Sequence, residues 1–175
     1  MKHKDYWKNS LLMEGLSKVK ATSPKRRKNS DEHYIINLCD DVLGKQASRQ
    51  HCFDFLRGDA CKKYPSGKML PVDAYYESLN LVVEYYERQH TESVKHFNKK
   101  NTISGVNRDE QRKIYDERRR EILPKHGIDI VILSYTDFKH DTRKRLIKDK
   151  NADIEIIKRI LIKYIDESAE VHNYR

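Results

Sequence analysis

The sequence predicts a mixed α/β domain with a small central sheet flanked by helices. Two β-rich segments, Met69–Tyr76 and 79–86, are separated by a few turn-like residues and predict an antiparallel hairpin. Helical patterns precede and follow this hairpin, and a third apolar segment at 128–133 follows the second helix. This succession of helices and strands is typical of a small sheet covered by helices.

The first predicted helix begins near residue 30 and ends at Gly44. Ser30 or Asp31 can cap its start, because a short polar side chain accepts hydrogen bonds from the first free N–H groups. Gly44 can adopt the left-handed conformation that ends a helix. The apolar stripe of this helix consists of Ile35, Leu38 and Val42. The segment 45–68 that follows has a mixed pattern and predicts no regular element.

The second strand of the hairpin is apolar on both faces except at Asn80 and Glu84. A strand with this pattern is covered on both sides, so we expect it in the middle of the sheet. The segment 91–106 that comes later is interpreted as a loop or flap.

The second helix is predicted to run from Asn107 to about Leu123. Asn107 can cap it with Glu110 as capping-box partner, and Pro124 is expected to stop it. The apolar segment 128–133 then predicts a third strand, which we expect to be buried.

A final helix is predicted to begin at Asp153. Its apolar face consists of Ile154, Ile157, Leu161 and Ile165. This face could form the surface of a homodimer, or it could pack into the core, which is at least as common. The sequence is accordingly divided into a basic arm at 1–30, a core at 31–140 and a C-terminal segment at 141–175 for packing or dimerisation.

Positive charge is concentrated at the start of the chain. Residues 1–30 contain nine Lys or Arg and two Asp or Glu, whereas the rest is nearly balanced within a net charge of +9. A basic arm on a balanced body suits a polyanion such as DNA, because each phosphate contact releases counterions. The alternative is a solubilising tail. The densest cluster of the arm is Lys25, Arg26, Arg27 and Lys28.

Composition also limits the compartment and the chemistry. No stretch of about 20 apolar residues is present, so the sequence indicates no membrane span. The first residues are charged and lack the apolar centre of a secretory signal, and the expected location is the cytoplasm. Cys39, Cys52 and Cys61 are an odd number without CxxC spacing, which indicates reduced thiols rather than disulfides or a zinc site.

Two carboxylates, Asp73 and Glu84, interrupt otherwise apolar strands. A buried carboxylate is costly unless it is paired or bound to a metal ion. If the hairpin turn spans 77–80, the two acids face each other with Cβ atoms about 4.5–5.5 Å apart, and they repel unless a cation lies between them. Such oxygen ligands suit Mg²⁺. Alternatively, Glu84 pairs with Arg88 or Arg112, and Asp73 ends an edge strand.

Polar residues directly after the second strand are candidates for catalysis. Glu87 could be a further acid, Gln89 could orient water, and His90 could act as a base or protonate the leaving oxygen. His90 could equally be a surface histidine at the strand exit.

The second helix carries charged residues along one side, among them Asp109, Arg112 and Lys113. The free N–H groups at its start, together with Arg112, could receive a phosphate group. A charged helix face is, however, usually only solvated.

The residues from Leu70-Pro-Val-Asp73 to Glu84-Tyr-Tyr-Glu87-Arg-Gln89-His90 resemble the motif of PD-(D/E)XK nucleases. They are most similar to the branch that contains very-short-patch mismatch repair endonucleases and related homing and restriction enzymes. The resemblance continues upstream at 50–56 and downstream at 108–113 and 127–138, and it covers about residues 31–138.

This resemblance implies a restriction-endonuclease-like αβββαβ core that hydrolyses phosphodiester bonds of DNA with Mg²⁺. Asp73 and Glu84 match the two acids of the motif, which hold the metal ion. Gln89 and His90 match the polar pair that follows them, and Asp109 matches a late acid near the catalytic histidine. An acid on the first helix often joins the site, and the candidates are Glu32, Asp40 and Asp41.

The sequence departs from the motif at Tyr86, which stands where the family has a lysine. Either another residue takes over the role of the lysine or the enzyme is catalytically altered. The candidates for that role are Glu87, Gln89, Lys113 and Arg112. The expected function is therefore a type II restriction endonuclease that works as a homodimer on a short double-stranded site. The alternatives are a strand-nicking repair or homing endonuclease and a DNA-binding protein that does not cut.

Overall fold

The computed structural model describes residues 30–87 and 106–165 of the chain. Within these ranges a four-stranded mixed sheet is flanked by helices, which confirms the predicted mixed α/β class. The elements in chain order are α1 (Asp31–Leu43), β1 (Ser48–Arg57), β2 (Met69–Tyr76), β3 (Leu81–Tyr86), α2 (Arg108–Lys125), β4 (Asp129–Ser134) and α3 (Lys150–Leu161). No helix in the described ranges is long and apolar enough to cross a membrane.

Several predictions lie outside the described residues. These are the basic cluster at 25–28, the loop or flap at 91–106 except its last residue, and the candidates Arg88, Gln89 and His90.

The strands lie in the order β1-β2-β3-β4, with the first three antiparallel and β4 parallel to β3. All six residues of β3 are buried, which confirms the predicted central strand. The prediction that β4 is buried was wrong, because β4 lies at the edge of the sheet and only Leu133 among its residues is fully buried. The mixed segment before β2 contains β1, which is the opposite edge strand.

The hairpin turn has the predicted length of four residues. Tyr76 pairs with Leu81, and the residues between them form a 3-10 turn, Glu77–Leu79, followed by Asn80. Asn80 has a φ of 46°, a left-handed conformation that asparagine tolerates better than most residues. This turn sets the register in which β2 and β3 meet.

Helices α1 and α3 cover one face of the sheet. Ser30 caps α1 through a hydrogen bond from the His33 N–H (3.1 Å), and Gly44 ends it with a φ of 61°, both as predicted. The buried side chains on this face include Ile35, Leu38 and Cys39 of α1, Val83 and Tyr85 of β3, and Ile157 and Leu161 of α3. The apolar face of the last helix therefore packs into the core, and a homodimer on that face stays a prediction.

The start of α3 differs from the prediction. Asp149 caps the helix by accepting a hydrogen bond from the Ala152 N–H (3.2 Å), so Asp153 lies inside the first turn. Asp153 is only 1 % exposed and accepts hydrogen bonds from the Tyr34 hydroxyl (2.8 Å) and the Asp149 N–H (3.0 Å). Its side chain thus ties α3 to α1 instead of starting the helix.

Helix α2 covers the other face of the sheet. Asn107 caps it by accepting a hydrogen bond from the Glu110 N–H (2.9 Å). The core on this face consists of Phe53, Leu56, Leu70, Val72, Val82, Leu123 and Ile128. Helix α2 runs through Pro124 to Lys125, two residues further than predicted, because a proline in the final turn removes only one backbone donor.

Candidate active site

The strand register brings three polar side chains into one row across the sheet. Arg49 pairs with Ala74 and His51 with Val72, so Gln50 of β1 lies opposite Asp73 of β2. Continuing the pairing of Ala74 with Val83 places Asp73 opposite Glu84 of β3. The row Gln50, Asp73 and Glu84 thus crosses three neighbouring strands, and the two acids meet in the register that the four-residue turn predicts.

The backbone hydrogen bonding between β2 and β3 is interrupted at this row. The backbone N–H of Asp73 donates to Glu84 Oε1 (3.3 Å), and the backbone N–H of Tyr85 donates to Asp73 Oδ2 (3.0 Å). Carboxylates here accept the hydrogen bonds that backbone carbonyls accept elsewhere in the ladder. Each carboxyl group therefore accepts a hydrogen bond from the backbone of the other strand, so the two carboxyl groups lie close together.

Gln50 links this pair to the first helix. Its Nε2 donates to Glu32 Oε1 (3.1 Å) and to Asp73 Oδ1 (3.3 Å). Of the three acids on α1 that were candidates for the site, the structure therefore connects Glu32 to Asp73 through one bridging amide.

The other two acids of α1 have different partners. Asp40, 5 % exposed, forms an ion pair with Arg49 and accepts hydrogen bonds from the Tyr76 hydroxyl (2.8 Å) and the Ala47 N–H (3.2 Å). Asp41 forms an exposed ion pair with Lys150 (3.3 Å). Asp40 therefore holds α1 to the sheet, and Asp41 lies on the surface.

We expect Asp40→Ala to lower the free energy of unfolding by about 3 kcal/mol, because it leaves the buried Tyr76 hydroxyl without its acceptor and removes the carboxylate partner of Arg49. Urea unfolding would measure this loss. Asp41→Ala is the matched control on the same helix, and its exposed ion pair should contribute less than about 1 kcal/mol. Equal losses for the two variants would contradict the structural role assigned to Asp40.

Glu84 is a strongly perturbed acid. It is 4 % exposed, and burial raises its pKa to about 8, with the nearby charge of Asp73 as the second cause. Arg119 of α2, whose Nε lies 3.5 Å from Glu84 Oε1, opposes this rise in pKa. The cation beside Glu84 is thus Arg119 and not Arg112, one of the two arginines that the sequence suggested as partners.

Arg119 is itself held firmly. Its Nη2 and Nε donate to the backbone oxygen of Pro71 (2.9 and 3.3 Å), and its Nη1 pairs with Asp116 (3.1 Å). The alternative that the charged residues of α2 are only solvated does not hold for one side of the helix. That side faces the sheet and carries Asp109, Arg112, Asp116, Arg119 and Leu123.

The remaining predicted residues take separate positions. Asp109 is buried and lies 3.8 Å from Arg112 in the first turns of α2, whereas Lys113 is exposed. Glu87 directly follows β3, and its charge acts on Tyr85, whose ring belongs to the core under α1 and α3. Glu84 instead meets Arg119 on the α2 side, so the structure does not bring Glu87 beside it.

Tyr86 stands at the position where the resemblance implies a lysine. It is 5 % exposed, and burial raises the pKa of its hydroxyl to about 12, with Asp116 and Glu84 as further causes. The phenol is therefore neutral at physiological pH and supplies no positive charge. Among the described residues in contact with Glu84, that charge comes from Arg119.

The donor set of the row fits a hard divalent cation. Within residues 30–87 and 106–165 no cluster of three or more His, Cys, Asp or Glu side chains is arranged to hold a metal ion. Mg²⁺, however, commonly uses one or two protein carboxylates and completes its shell with water and phosphate oxygens. Asp73 and Glu84 supply two such carboxylates, and their mutual repulsion is what a cation would relieve.

Sequence reasoning missed Gln50, Asp116 and Arg119 as members of this site. The charged residues of α2 gave a usable signal, since 109, 112, 116, 119 and 123 follow a helical period that ends on an apolar residue. Gln50 gave little signal, because it lies in a strand whose pattern was not regular.

No protein-family model matches the chain, and comparisons with curated proteins and with solved structures found no significant match.

Proposed function

We propose that this protein is a Mg²⁺-dependent DNA endonuclease with a restriction-endonuclease-like core, and that it cuts double-stranded DNA as a type II restriction enzyme does. The observation that carries the proposal is the pair of carboxylates, Asp73 and Glu84, that meet where the ladder between β2 and β3 opens. The order α1, β1, β2, β3, α2 and β4 supports it, because it agrees with the αβββαβ core that the resemblance implies.

Each residue of the site has a separate role in this proposal. Asp73 and Glu84 would hold Mg²⁺, which when bound supplies an activated water and stabilises charge on the phosphate. Gln50 holds Asp73 in place and connects it to Glu32. Glu84 must lose its proton before it can act as a ligand, and Arg119 favours that loss because it lowers the pKa of Glu84.

Arg119 also takes the place left by the absent motif lysine in this proposal. Tyr86 is neutral, whereas Arg119 keeps its charge at every physiological pH. Because residues 30–87 and 106–165 contain one such site, cutting both strands at one place requires two copies, and we propose a homodimer on a palindromic sequence. We also propose a cytoplasmic location, because an endonuclease of this kind needs access to DNA.

The test is incubation of the purified full-length protein with plasmid DNA and Mg²⁺, followed by sequencing of the ends. Double-strand breaks at fixed positions support the proposal. Nicks in one strand would instead identify the repair or homing type of endonuclease. Binding without any cleavage would favour a catalytically altered nuclease fold, the candidate that Tyr86 at the lysine position favours.

Metal binding is measured separately with Mn²⁺ as a paramagnetic substitute for Mg²⁺. We expect Asp73→Asn to weaken Mn²⁺ binding at least about tenfold, since it removes one of two charged ligands. Glu77→Gln is the matched control, because Glu77 is an exposed acid in the turn of the same hairpin. Unchanged Mn²⁺ affinity in Asp73→Asn would refute the metal site.

A further inference from the structure

The segment 58–68 between β1 and β2 carries an exposed cluster of positive charge. Its basic residues are Lys62, Lys63 and Lys68, and all three are exposed. The segment contains one acid, Asp59, whose Oδ1 pairs with Arg118 of α2 at 2.8 Å. Because Arg118 already neutralises that acid, the charge of the three lysines is not balanced within the segment.

The backbone of this segment is held in a defined shape. Gly58 N–H donates to the Lys68 oxygen (2.8 Å), and Cys61 and Tyr64 exchange two backbone hydrogen bonds (2.9 and 3.0 Å). Gly67 has a φ of 76°, and a Cβ there would lie 2.1 Å from the Gly58 oxygen, so no other residue fits without a shift.

Helix α2 supports the segment from one side. Arg118 Nη1 donates to the Arg57 oxygen (2.8 Å), and the Tyr115 hydroxyl accepts from the Asp59 N–H (3.2 Å). Arg118 and Arg119 are neighbours in sequence, so one turn of α2 contacts both the lysine segment and Glu84. The segment and the candidate site are thus braced by the same helix.

The segment also lies at the end of the sheet that is nearer to Glu84. It leads into β2 at Met69, four residues before Asp73, which corresponds to roughly 13 Å along a strand. Because β2 and β3 are antiparallel, the start of β2 lies at the same end of the sheet as Tyr86, where β3 ends.

We propose that Lys62, Lys63 and Lys68 contact the phosphate backbone of a nucleic-acid duplex that occupies the candidate site. This proposal rests on the proposed nuclease function, and it adds the surface along which the duplex would lie. Lysines on a braced segment suit phosphates because they act as point charges without base preference, and such contacts set the register of a duplex.

The test compares two triple variants that remove the same amount of charge. Lys62→Gln, Lys63→Gln and Lys68→Gln form the first, and Lys45→Gln, Lys125→Gln and Lys163→Gln form the control. The control lysines are exposed near the opposite end of the sheet, after α1, at the end of α2 and beside Asp129 at the start of β4.

Affinity is measured by fluorescence anisotropy with a labelled duplex of arbitrary sequence, without divalent ions, at several KCl concentrations. We expect the first variant to bind about tenfold more weakly than the control at 0.1 M salt. We also expect its plot of log affinity against log salt to lose a slope of about 2 to 3, near one per phosphate contact.

A second readout is acetylation of lysines with and without the duplex, followed by mass spectrometry. Lys62, Lys63 and Lys68 should be protected by the duplex, and Lys45, Lys125 and Lys163 should not. Equal slopes for the two triple variants, or equal acetylation with and without DNA, would overturn this proposal. Neither result would affect Mn²⁺ binding at Asp73, so the two proposals fail separately.

Discussion

Glu84→Gln is expected to slow DNA cleavage by about a thousandfold or more. It should also make the metal-free protein more stable than the metal-free wild type at alkaline pH. The carboxylate of Glu84 is buried with a pKa of about 8, compared with its ordinary value of 4.5. Between these two pH values the folded protein keeps a proton that the unfolded chain has lost. The free energy of unfolding must therefore fall as the pH rises through this window, at on the order of 1.4 kcal/mol per pH unit.

Glutamine has nearly the same shape but cannot ionise, so the variant should lack this pH dependence. Urea unfolding at intervals from pH 5 to pH 9 measures the slope, and added Mg²⁺ should flatten the slope of the wild type only. Glu77→Gln should behave as the wild type in every assay. A variant that retains cleavage, or one whose stability follows the pH dependence of the wild type, would contradict the role given to Glu84.

Arg119→Met should lower the free energy of unfolding by about 3–5 kcal/mol. Its guanidinium lies between two buried acids, Glu84 and Asp116, and also donates twice to the Pro71 oxygen. Removing the guanidinium leaves the buried carboxylate of Asp116 without its ion-pair partner, and it leaves Glu84 without its cation at the alkaline pH where Glu84 is ionised. Arg119→Lys should recover only part of the loss, because a lysine cannot reproduce the forked geometry. Thermal and urea unfolding report both effects.

Arg120→Met is the control for this prediction. Arg120 is the next residue of α2, lies exposed, and pairs with Glu117 at 3.3 Å. Its loss should cost less than about 1 kcal/mol. A double variant with Glu84→Gln, measured above pH 8 where Glu84 is ionised, distinguishes general destabilisation from the specific contact, because the cost of Arg119→Met should then be smaller in the Glu84→Gln background. Additive costs would show that Arg119 and Glu84 do not interact.

The sequence predicted the helix ends and the hairpin turn, because these depend on residues that are close together in the chain. The caps Ser30 and Asn107, the glycine end at Gly44 and the four-residue hairpin turn were confirmed because each depends on residues within one turn. The buried character of β3 was confirmed because a central strand is apolar on both faces. A four-residue turn is sufficient to predict that Asp73 and Glu84 lie opposite each other.

Features that depend on distant partners could not be predicted. The pattern of β1 alone did not predict a strand, because an edge strand is only half buried and does not alternate clearly, although the αβββαβ order of the resemblance implies a strand before the hairpin. Asp153 resembled a helix cap, but its partner Tyr34 is 119 residues away. Arg118 and Arg119 each have a partner in another element, Asp59 and Glu84. The helical period of α2 indicates which side faces the sheet, but it does not identify these distant partners.

The position of Gln50 at the edge of the sheet has a consequence for self-association. An edge strand presents a row of open backbone groups to which another chain could add a strand. Gln50 has a φ of 49°, which distorts β1 near its start, and the pairing with β2 shifts again between Cys52 and Arg57. The residue that joins Glu32 to Asp73 thus also interrupts the straight edge of the sheet, and we expect this edge to be a poorer template for an added strand.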